Sequence, residues 1–501
     1  MPAAQSRPVP AMAPGPPLPA RAARLLRSLP ELRRGPGPAA VPRGLAEMPG
    51  PSPAAFTYEL LCRGGLRRLH ELQVQGRARY GPLWKAAFGP ILTVHVAEAG
   101  LIEQVLRQEG PFPVRSHLSS WKDYRECRGH AYGLLTAEGE EWQRLRRLLG
   151  RLLLRPRVAE SFSGPVAAVV GDLVQRLQLQ RDGNPQHLVH DLGTHFYRFG
   201  LEGISSVLFA SRLGCLEPEV PRDTETFIRS INTMFVMTLL TMAMPKPLLR
   251  LFPKPWDTFC EAWDYMFAFA KRHIDRRVAE AGGHRDAEQG TCLTDHLARE
   301  QVPLKSIYGN VTELLLAGVD TISSTLSWSL YELAQHPGVQ AALHRELAAA
   351  AATGTAVGSV PLLRAVVKET LRLYPVIPAN ARVIPDRDIR VGEYLVPRKT
   401  LITLCHYAAS RDARVFAAPE RFQPERWLRR APGHPFASLP FGIGKRSCIG
   451  RRLAELEIHQ ALAQILLRFE VRPEPGGSRV RPMTRTLLVP AATINLQFLS
   501  R

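Results

Sequence analysis

The sequence predicts a mainly α-helical single domain with a small β region, and three observations carry that reading. Apolar residues recur at three- and four-residue intervals over most of the chain. Strand-like stretches are short and few, and no pattern repeats at a fixed period. With 501 residues, 45% of them hydrophobic, the chain is long enough to bury a large core.

Taken from the N-terminus, residues 1–45 hold Arg7, Arg21, Arg24, Arg27, Arg33, Arg34 and Arg43, no lysine, and Glu31 as their sole acid. Acid-poor, arginine-only composition marks a mitochondrial presequence; the alternative is a disordered Pro/Arg tail, which the thirteen prolines of the first 51 residues would suit. Leu25, Leu26, Leu29 and Leu32 interleave with the arginines as a short amphipathic helix would, although Pro30 interrupts it. No run of about 18 uncharged apolar residues opens the chain, so no anchor helix or secretory signal is expected. After Pro49-Gly50-Pro51 the composition becomes ordinary, which places the folded domain at 49–501.

Helical periodicity then predicts helices over 138–154, 166–180, 222–243, 256–280, 303–335, 338–351, 361–373 and 450–468. Strand-like pieces are 83–97, 388–396 and 484–498, and polar or Gly/Ala-rich links fall at 281–292 and 352–360. The apolar stretch Thr233 to Pro245 is too short to span a membrane and fits a buried or interfacial helix. Helix 303–335 carries Glu313, Asp320 and Glu332, charges that argue for a core helix bordering a site.

A formal net charge of +20 suits nucleic acid, an anionic membrane or an acidic protein as partner. No nucleic-acid recognition motif or stacking platform accompanies it, which leaves a basic nucleic-acid-binding protein with charge as its sole support. Cys62, Cys127, Cys215, Cys260, Cys292, Cys405 and Cys448 are scattered without a Cys-x-x-Cys pair, so neither a zinc site nor a disulfide framework is expected.

The chemistry concentrates at Pro440–Gly450, which is followed at once by an amphipathic helix with Leu453, Leu456, Ile458, Leu462, Ile465 and Leu466 as its apolar set. Cys448 is thereby expected at a helix N-terminus, where free N–H groups and the dipole draw a thiol toward thiolate. Gly442 and Gly444 permit turns closed to other residues and let a flat cofactor approach. Arg446, two residues from the sulfur, is placed to pair a carboxylate. Upstream, Ala317-Gly318-Val319-Asp320-Thr321 sets an acid and an alcohol in an apolar helix. A mid-helix threonine bonds back to the preceding turn, and an alcohol backed by a carboxylate suits proton relay.

Other pairs share helix faces. Glu369 and Arg372 stand three apart, and Trp142 and Arg146 stand four apart.

The segment around Cys448 resembles the cysteine loop of the cytochrome P-450 monooxygenases, in register at Phe441, Gly442, Gly444, Arg446, Cys448 and Gly450. The resemblance implies a cytochrome P-450 fold, with haem b between a long distal helix and the cysteine-loop helix and Cys448 as axial thiolate; such a ligand favours O–O cleavage. Asp320 and Thr321 then match the distal-helix motif, with Ile322 where many members carry a second hydroxyl and Ser323 after it. Glu369, Arg372 and Arg426 resemble the structural brace, with Trp427 replacing the commoner phenylalanine. Trp142, Arg146, Arg382 and Arg446 resemble contacts to the haem propionates, and His434 is a weaker candidate.

Within the family the chain resembles the mitochondrial branch, which receives NADPH electrons through a reductase and a small acidic 2Fe–2S ferredoxin of the adrenodoxin type. Arg364 and Lys368 match basic positions offered to that ferredoxin, and Arg451 and Arg452 add to them; complementary charge steers such docking. Stretches Leu134 to Trp142, Thr233 to Pro245, Asn310 to Ser324 and Leu401 to Ala408 resemble branch members that hydroxylate secosteroids at the matrix side of the inner membrane, as peripheral enzymes. In that likeness 225–252 and 110–133 frame the substrate entrance, while Val376 to Ala379 and Thr484 to Leu488 shape the pocket. Another mitochondrial sterol hydroxylase is the nearest alternative, and a haem-thiolate isomerase or peroxygenase the next.

Overall fold

The computed structural model describes residues 41–116, 118–244, 246–283, 292–429 and 433–501. The presequence reading rests on residues that lie, up to 40, outside the described ones. The compact unit spans Arg43–Arg501, and Arg43 is tied into it. Its backbone N–H donates to Glu393 O at 2.8 Å and Leu395 N donates to Arg43 O at 2.9 Å, a one-residue strand pairing that composition could not reveal.

Helices dominate, as expected: α1 (Pro53–Leu61), α2 (Leu69–Tyr80), α3 (Ala99–Arg107), α4 (Ser119–Arg128), α5 (Gly139–Leu153), α6 (Pro156–Ser161), α7 (Ser163–Asp182), α8 (Leu192–Phe209), α9 (Arg222–Ala243), α10 (Lys246–Leu251), α11 (Lys254–Gly283), α12 (Leu293–Arg299), α13 (Leu304–Gln335), α14 (Pro337–Ala352), α15 (Pro361–Leu373), α16 (His406–Ala409) and α17 (Arg451–Arg468). The expected strand 83–97 is a hairpin, β1 (Leu83–Phe88) and β2 (Ile91–Val96), turned at Gly89 with φ +54°. A four-stranded sheet runs β1-β2-β4-β3, with β3 (Asn380–Val383) and β4 (Leu401–Leu404); β2 and β4 are parallel. Stretch 484–498 divides between a hairpin, Pro482–Arg485 with Leu487–Pro490, and Leu496–Ser500, which pairs with Phe469–Pro473. No described helix is long and apolar enough to cross a membrane.

Helix α13 is buried along most of its length and forms the axis of the main core. It crosses α8 at reciprocal glycines. A Cβ on Gly200 would lie 3.1 Å from Val319 O, and one on Gly318 would lie 3.0 Å from the Ile204 side chain. Small residues there let two backbones approach, so Gly318 has a packing role beside its place in the cavity wall.

Candidate active site

An apolar cavity separates the middle of α13 from the loop that precedes α17. Ala317, Gly318, Thr321 and Thr325 line one wall, and Phe441, Gly442, Cys448 and Ile449 line the other. Gly442 and Gly444 adopt φ of +66° and +75°, as the sequence requires. Cys448 N donates to Phe441 O at 2.7 Å, which closes the loop on itself and fixes the sulfur against the cavity.

Cys448 stands two residues ahead of the helix N-cap, Gly450. The expected drift toward thiolate is not what the surroundings favour. Burial among apolar groups pushes the Cys448 thiol up, and the Gly450 N–H with the nearby Arg115, Arg146 and Arg451 offset that only in part. A metal ion on the sulfur would reverse the balance, because a coordinating thiol is deprotonated outright.

One end of the cavity is cationic. Arg115, Arg146, Arg382 and Arg446 all line it, together with Trp142, whose ring lies 4.0 Å under the Arg446 guanidinium. Arg446 is held by Pro113 O at 2.8 Å and by Leu134 O and Ala137 O at 3.4 and 3.3 Å. Arg146 donates to Ser447 Oγ at 3.1 Å, and Arg382 pairs with Glu109. Arg115, which no local pattern marks, donates to Arg446 O at 3.0 Å. Burial and then mutual repulsion push Arg446 down to about 9 and Arg115 down to about 10. Such crowding calls for anions in the cavity, and two carboxylates plus a thiolate satisfy it. His434 is not among the lining residues; it faces Glu103 at 3.4 Å.

On the α13 wall Thr321 Oγ1 donates to Ala317 O at 2.8 Å, the back-bond the sequence predicts. Asp320 does not share that wall. Neighbours on a helix point about 100° apart, and its carboxylate turns toward α8, accepting Tyr197 O–H at 2.7 Å with Arg485 at 3.8 Å. Burial pushes this carboxyl up, and the Tyr197 hydrogen bond and Arg485 work against it.

Glu369, Arg372 and Arg426 come together. Arg372 grips Glu369 with Nε and Nη2, each at 2.9 Å, and Arg426 Nε reaches Glu369 Oε1 at 3.0 Å. Arg372 also donates to the carbonyls of Ser410, Pro419 and Arg421, tying α15 to the chain that leads to the cysteine loop. Arg364, Lys368, Arg451 and Arg452 are all exposed. Burial, then Arg364 and Arg451, push the Lys368 amine down, so α15 and α17 present their charges close together.

The Cytochrome P450 family model matches residues 48–498. The chain belongs to the cytochrome P450 family. It is 60% identical over 475 residues to "25-hydroxyvitamin D-1 alpha hydroxylase, mitochondrial" of Homo sapiens, covering 92% of this chain and 93% of that protein. The Rattus norvegicus protein of the same name is 58% identical over 482 residues, covering 93% and 96%. "Sterol 26-hydroxylase, mitochondrial" of Rattus norvegicus is 40% identical over 477 residues, covering 92% and 89%. As a P450 monooxygenase the chain is of the haem-thiolate kind, and the cavity suits that group: a buried thiol on one wall, a cation cluster for its carboxylates at one end, and otherwise apolar walls.

Proposed function

We propose that this chain is a mitochondrial monooxygenase that hydroxylates 25-hydroxyvitamin D at the 1α position. The observation that carries the chemistry is the meeting of Cys448 and Thr321 across one apolar cavity with Arg115, Arg146, Arg382 and Arg446 at its end. The substrate reading is supported by the 60% identity with the human relative of that name. Bound haem supplies an iron at which dioxygen is reduced and split, and the thiolate of Cys448 favours the splitting. Cys448 would hold the iron, and the four arginines with Trp142 would hold the propionates.

The chain's own residues then divide the work. Thr321 offers a hydroxyl in the cavity, and Asp320, whose carboxylate rests on Tyr197 of α8, would back it by turning toward that wall, so that protons reach the oxygen site without opening it to bulk water. Glu369, Arg372 and Arg426 hold the cysteine loop in place. Arg364, Lys368, Arg451 and Arg452 offer a basic face to a 2Fe–2S ferredoxin, which passes on electrons taken from NADPH by its reductase. Residues 1–45 address the protein to the mitochondrion, and the folded domain works on the matrix side of the inner membrane as a peripheral protein.

The test is incubation of the folded domain with ferredoxin, reductase, NADPH and 25-hydroxyvitamin D, with the hydroxyl position read by mass spectrometry and NMR. A single 1α product that vanishes in Cys448→Ser supports both chemistry and substrate. Hydroxylation on the side chain, as the likeness to the sterol 26-hydroxylase allows, would overturn the substrate and leave the monooxygenase.

A further inference from the structure

Helix α13 carries polar side chains on two of its faces. Ala317, Thr321 and Thr325 line the active-site cavity, whereas Ser323, Ser324 and Ser327 line a second cleft of about 400 Å³ between α13, the start of α8 and the C-terminal hairpin. Asp320 stands on the serine face, three, four and seven residues ahead of them. At 1% exposure it lines neither space. Tyr197 and Arg485 line the cleft and close the carboxylate off from it. Tyr197 O–H donates to Asp320 Oδ1 at 2.7 Å, Arg485 Nη2 donates to the Tyr197 oxygen at 3.1 Å, and the same nitrogen stands 3.8 Å from Oδ1. The Arg485 side chain is 31% exposed, and residues 491–493 at the rim of the cleft face solvent. A hydrogen-bonded line therefore leads from a cleft polar and roomy enough to hold water to the residue directly before Thr321.

A carboxylate kept for structure alone is enclosed by donors. Glu202, Glu313 and Glu369 each accept at both oxygens. Asp320 differs: its Oδ2 is buried and has no hydrogen-bond partner among the described residues, a costly arrangement for an ion that stays in place. Nor do α8 and α13 need a staple there, since Gly200 and Gly318 already bring the two backbones together. Burial pushes the Asp320 carboxyl up, and burial followed by the Asp320 charge pushes the Tyr197 phenol up, so the acid gains a proton more readily while the phenol stays neutral. Among the described residues Tyr197 and Arg485 are the titratable groups set against the carboxylate, and both favour its ionised form. Once protonated, Asp320 is released from that hold, because neutralisation cancels the pull of Arg485 and the terminal torsion of an aspartate is soft.

We propose that the cleft is the proton entry of this enzyme, with Tyr197 and Arg485 as positioning residues that load Asp320 from solvent. This rests on the monooxygenase reading above and names the source of the protons that Asp320 and Thr321 handle. In the loading step the Tyr197 O–H bond breaks toward Asp320 Oδ1 while the phenol oxygen takes a proton from water in the cleft, so the tyrosine ends as it began. Bulk solvent restores the proton to that water. The neutral acid turns toward the Thr321 wall, gives up its proton there, and returns as a carboxylate to Tyr197 and Arg485. One proton crosses α13 in each cycle, and no electron moves with it.

The experiment follows Asp320 by infrared difference spectroscopy in the haem-loaded protein at rest, without ferredoxin or NADPH. Its acid band is the one missing in Asp320→Asn, and the rate of hydrogen–deuterium exchange at that acid is read after rapid mixing with heavy water, below the midpoint of its titration. Glu457, a buried acid on α17 that does not line the cleft, is the internal control, its band assigned by Glu457→Gln. Tyr197→Phe is expected to slow exchange at Asp320 at least about tenfold and to leave Glu457 unchanged. Arg485→Gln should move the Asp320 midpoint upward. In turnover, Tyr197→Phe should lower the rate about fivefold and enlarge the solvent deuterium isotope effect, with the KM for ferredoxin unchanged. Should Tyr197→Phe fail to fold, Ala492→Trp, which narrows the cleft from its exposed rim, decides by the same exchange criterion. Unchanged exchange at Asp320, equal slowing at both acids, or slowed exchange with undiminished turnover overturns the entry. So does the lack of any Asp320 acid band over the pH range in which the protein stays folded. A wild-type chain without the thiolate-type carbon monoxide spectrum overturns the haem-thiolate reading instead.

Discussion

Trp427 donates its indole N–H to Glu369 Oε2 at 2.8 Å, which makes the tryptophan a working member of the Glu369–Arg372–Arg426 brace. A phenylalanine could fill the space but not make the bond. With Gln423 N at 3.0 Å on Oε1, the buried carboxylate is fully enclosed by donors. Trp427→Phe is expected to cost about 1 to 2 kcal/mol, read as a drop in denaturation midpoint with an unchanged carbon monoxide spectrum. Glu369→Leu should cost about 3 to 5 kcal/mol, because it strands Arg372 without a counter-charge in the core. Equal effects from the two changes would mean that the indole bond carries more than one hydrogen bond's share.

A second expectation concerns the cavity wall. Thr321→Val removes the hydroxyl that bonds Ala317 O and leaves a side chain of similar shape, so folding and substrate binding should persist. Product formed per NADPH consumed should fall at least about tenfold, with hydrogen peroxide accounting for the missing electrons. Undiminished coupling of NADPH to product would remove Thr321 from proton handling. Asp320→Asn tests the acid behind it separately, since its carboxylate faces Tyr197 rather than the cavity.

The two results draw on different layers of legibility. The shared helix face of Glu369 and Arg372, and the positive φ of Gly442 and Gly444 around Cys448, are legible because they depend on spacing and on φ values that only near neighbours determine. Helix α8 escaped the reading because it is buried on nearly every side, so no polar stripe marks its period. Strands β3 and β4 are four residues each, and β4 is fixed by pairing with β2 some three hundred residues earlier. Arg115 carries no local signal at all; it becomes a cavity residue only when its loop folds onto Arg446 O. The helix end beside Cys448 is a local effect and legible in the sequence, whereas the burial that pushes its thiol up belongs to the whole cavity.

The basic face of α15 and α17 yields a kinetic expectation. Arg364→Gln with Lys368→Gln should raise the KM for ferredoxin several-fold at low salt and leave maximal turnover near wild type. The difference should shrink as ionic strength rises, since exposed charges are screened over about 8 to 10 Å in physiological salt. If the variant instead lowers maximal turnover at saturating ferredoxin and leaves KM alone, the pair acts after docking.

A last expectation follows from Glu457 on α17, a 2% exposed carboxyl that no cation among the described residues faces. Its Oε2 would sit 3.1 Å from a Cβ on Gly203, and it finds no hydrogen-bond partner among the described residues. Burial alone holds the group up at about 8, against an ordinary value of 4.5. Between those values the native protein keeps a proton that the unfolded chain has released. Stability therefore falls as pH rises from about 4.5 and levels off above about 8, the reverse of a salt-bridged acid. Glu457→Gln, which keeps the shape and removes the titration, should match wild type near pH 4.5 and exceed it by a few kcal/mol at pH 8. Denaturant unfolding of the haem-loaded protein at pH 5, 6.5 and 8 reads the slope directly, and a gap between variant and wild type that stays constant across the series would show that Glu457 does not hold its proton in the fold.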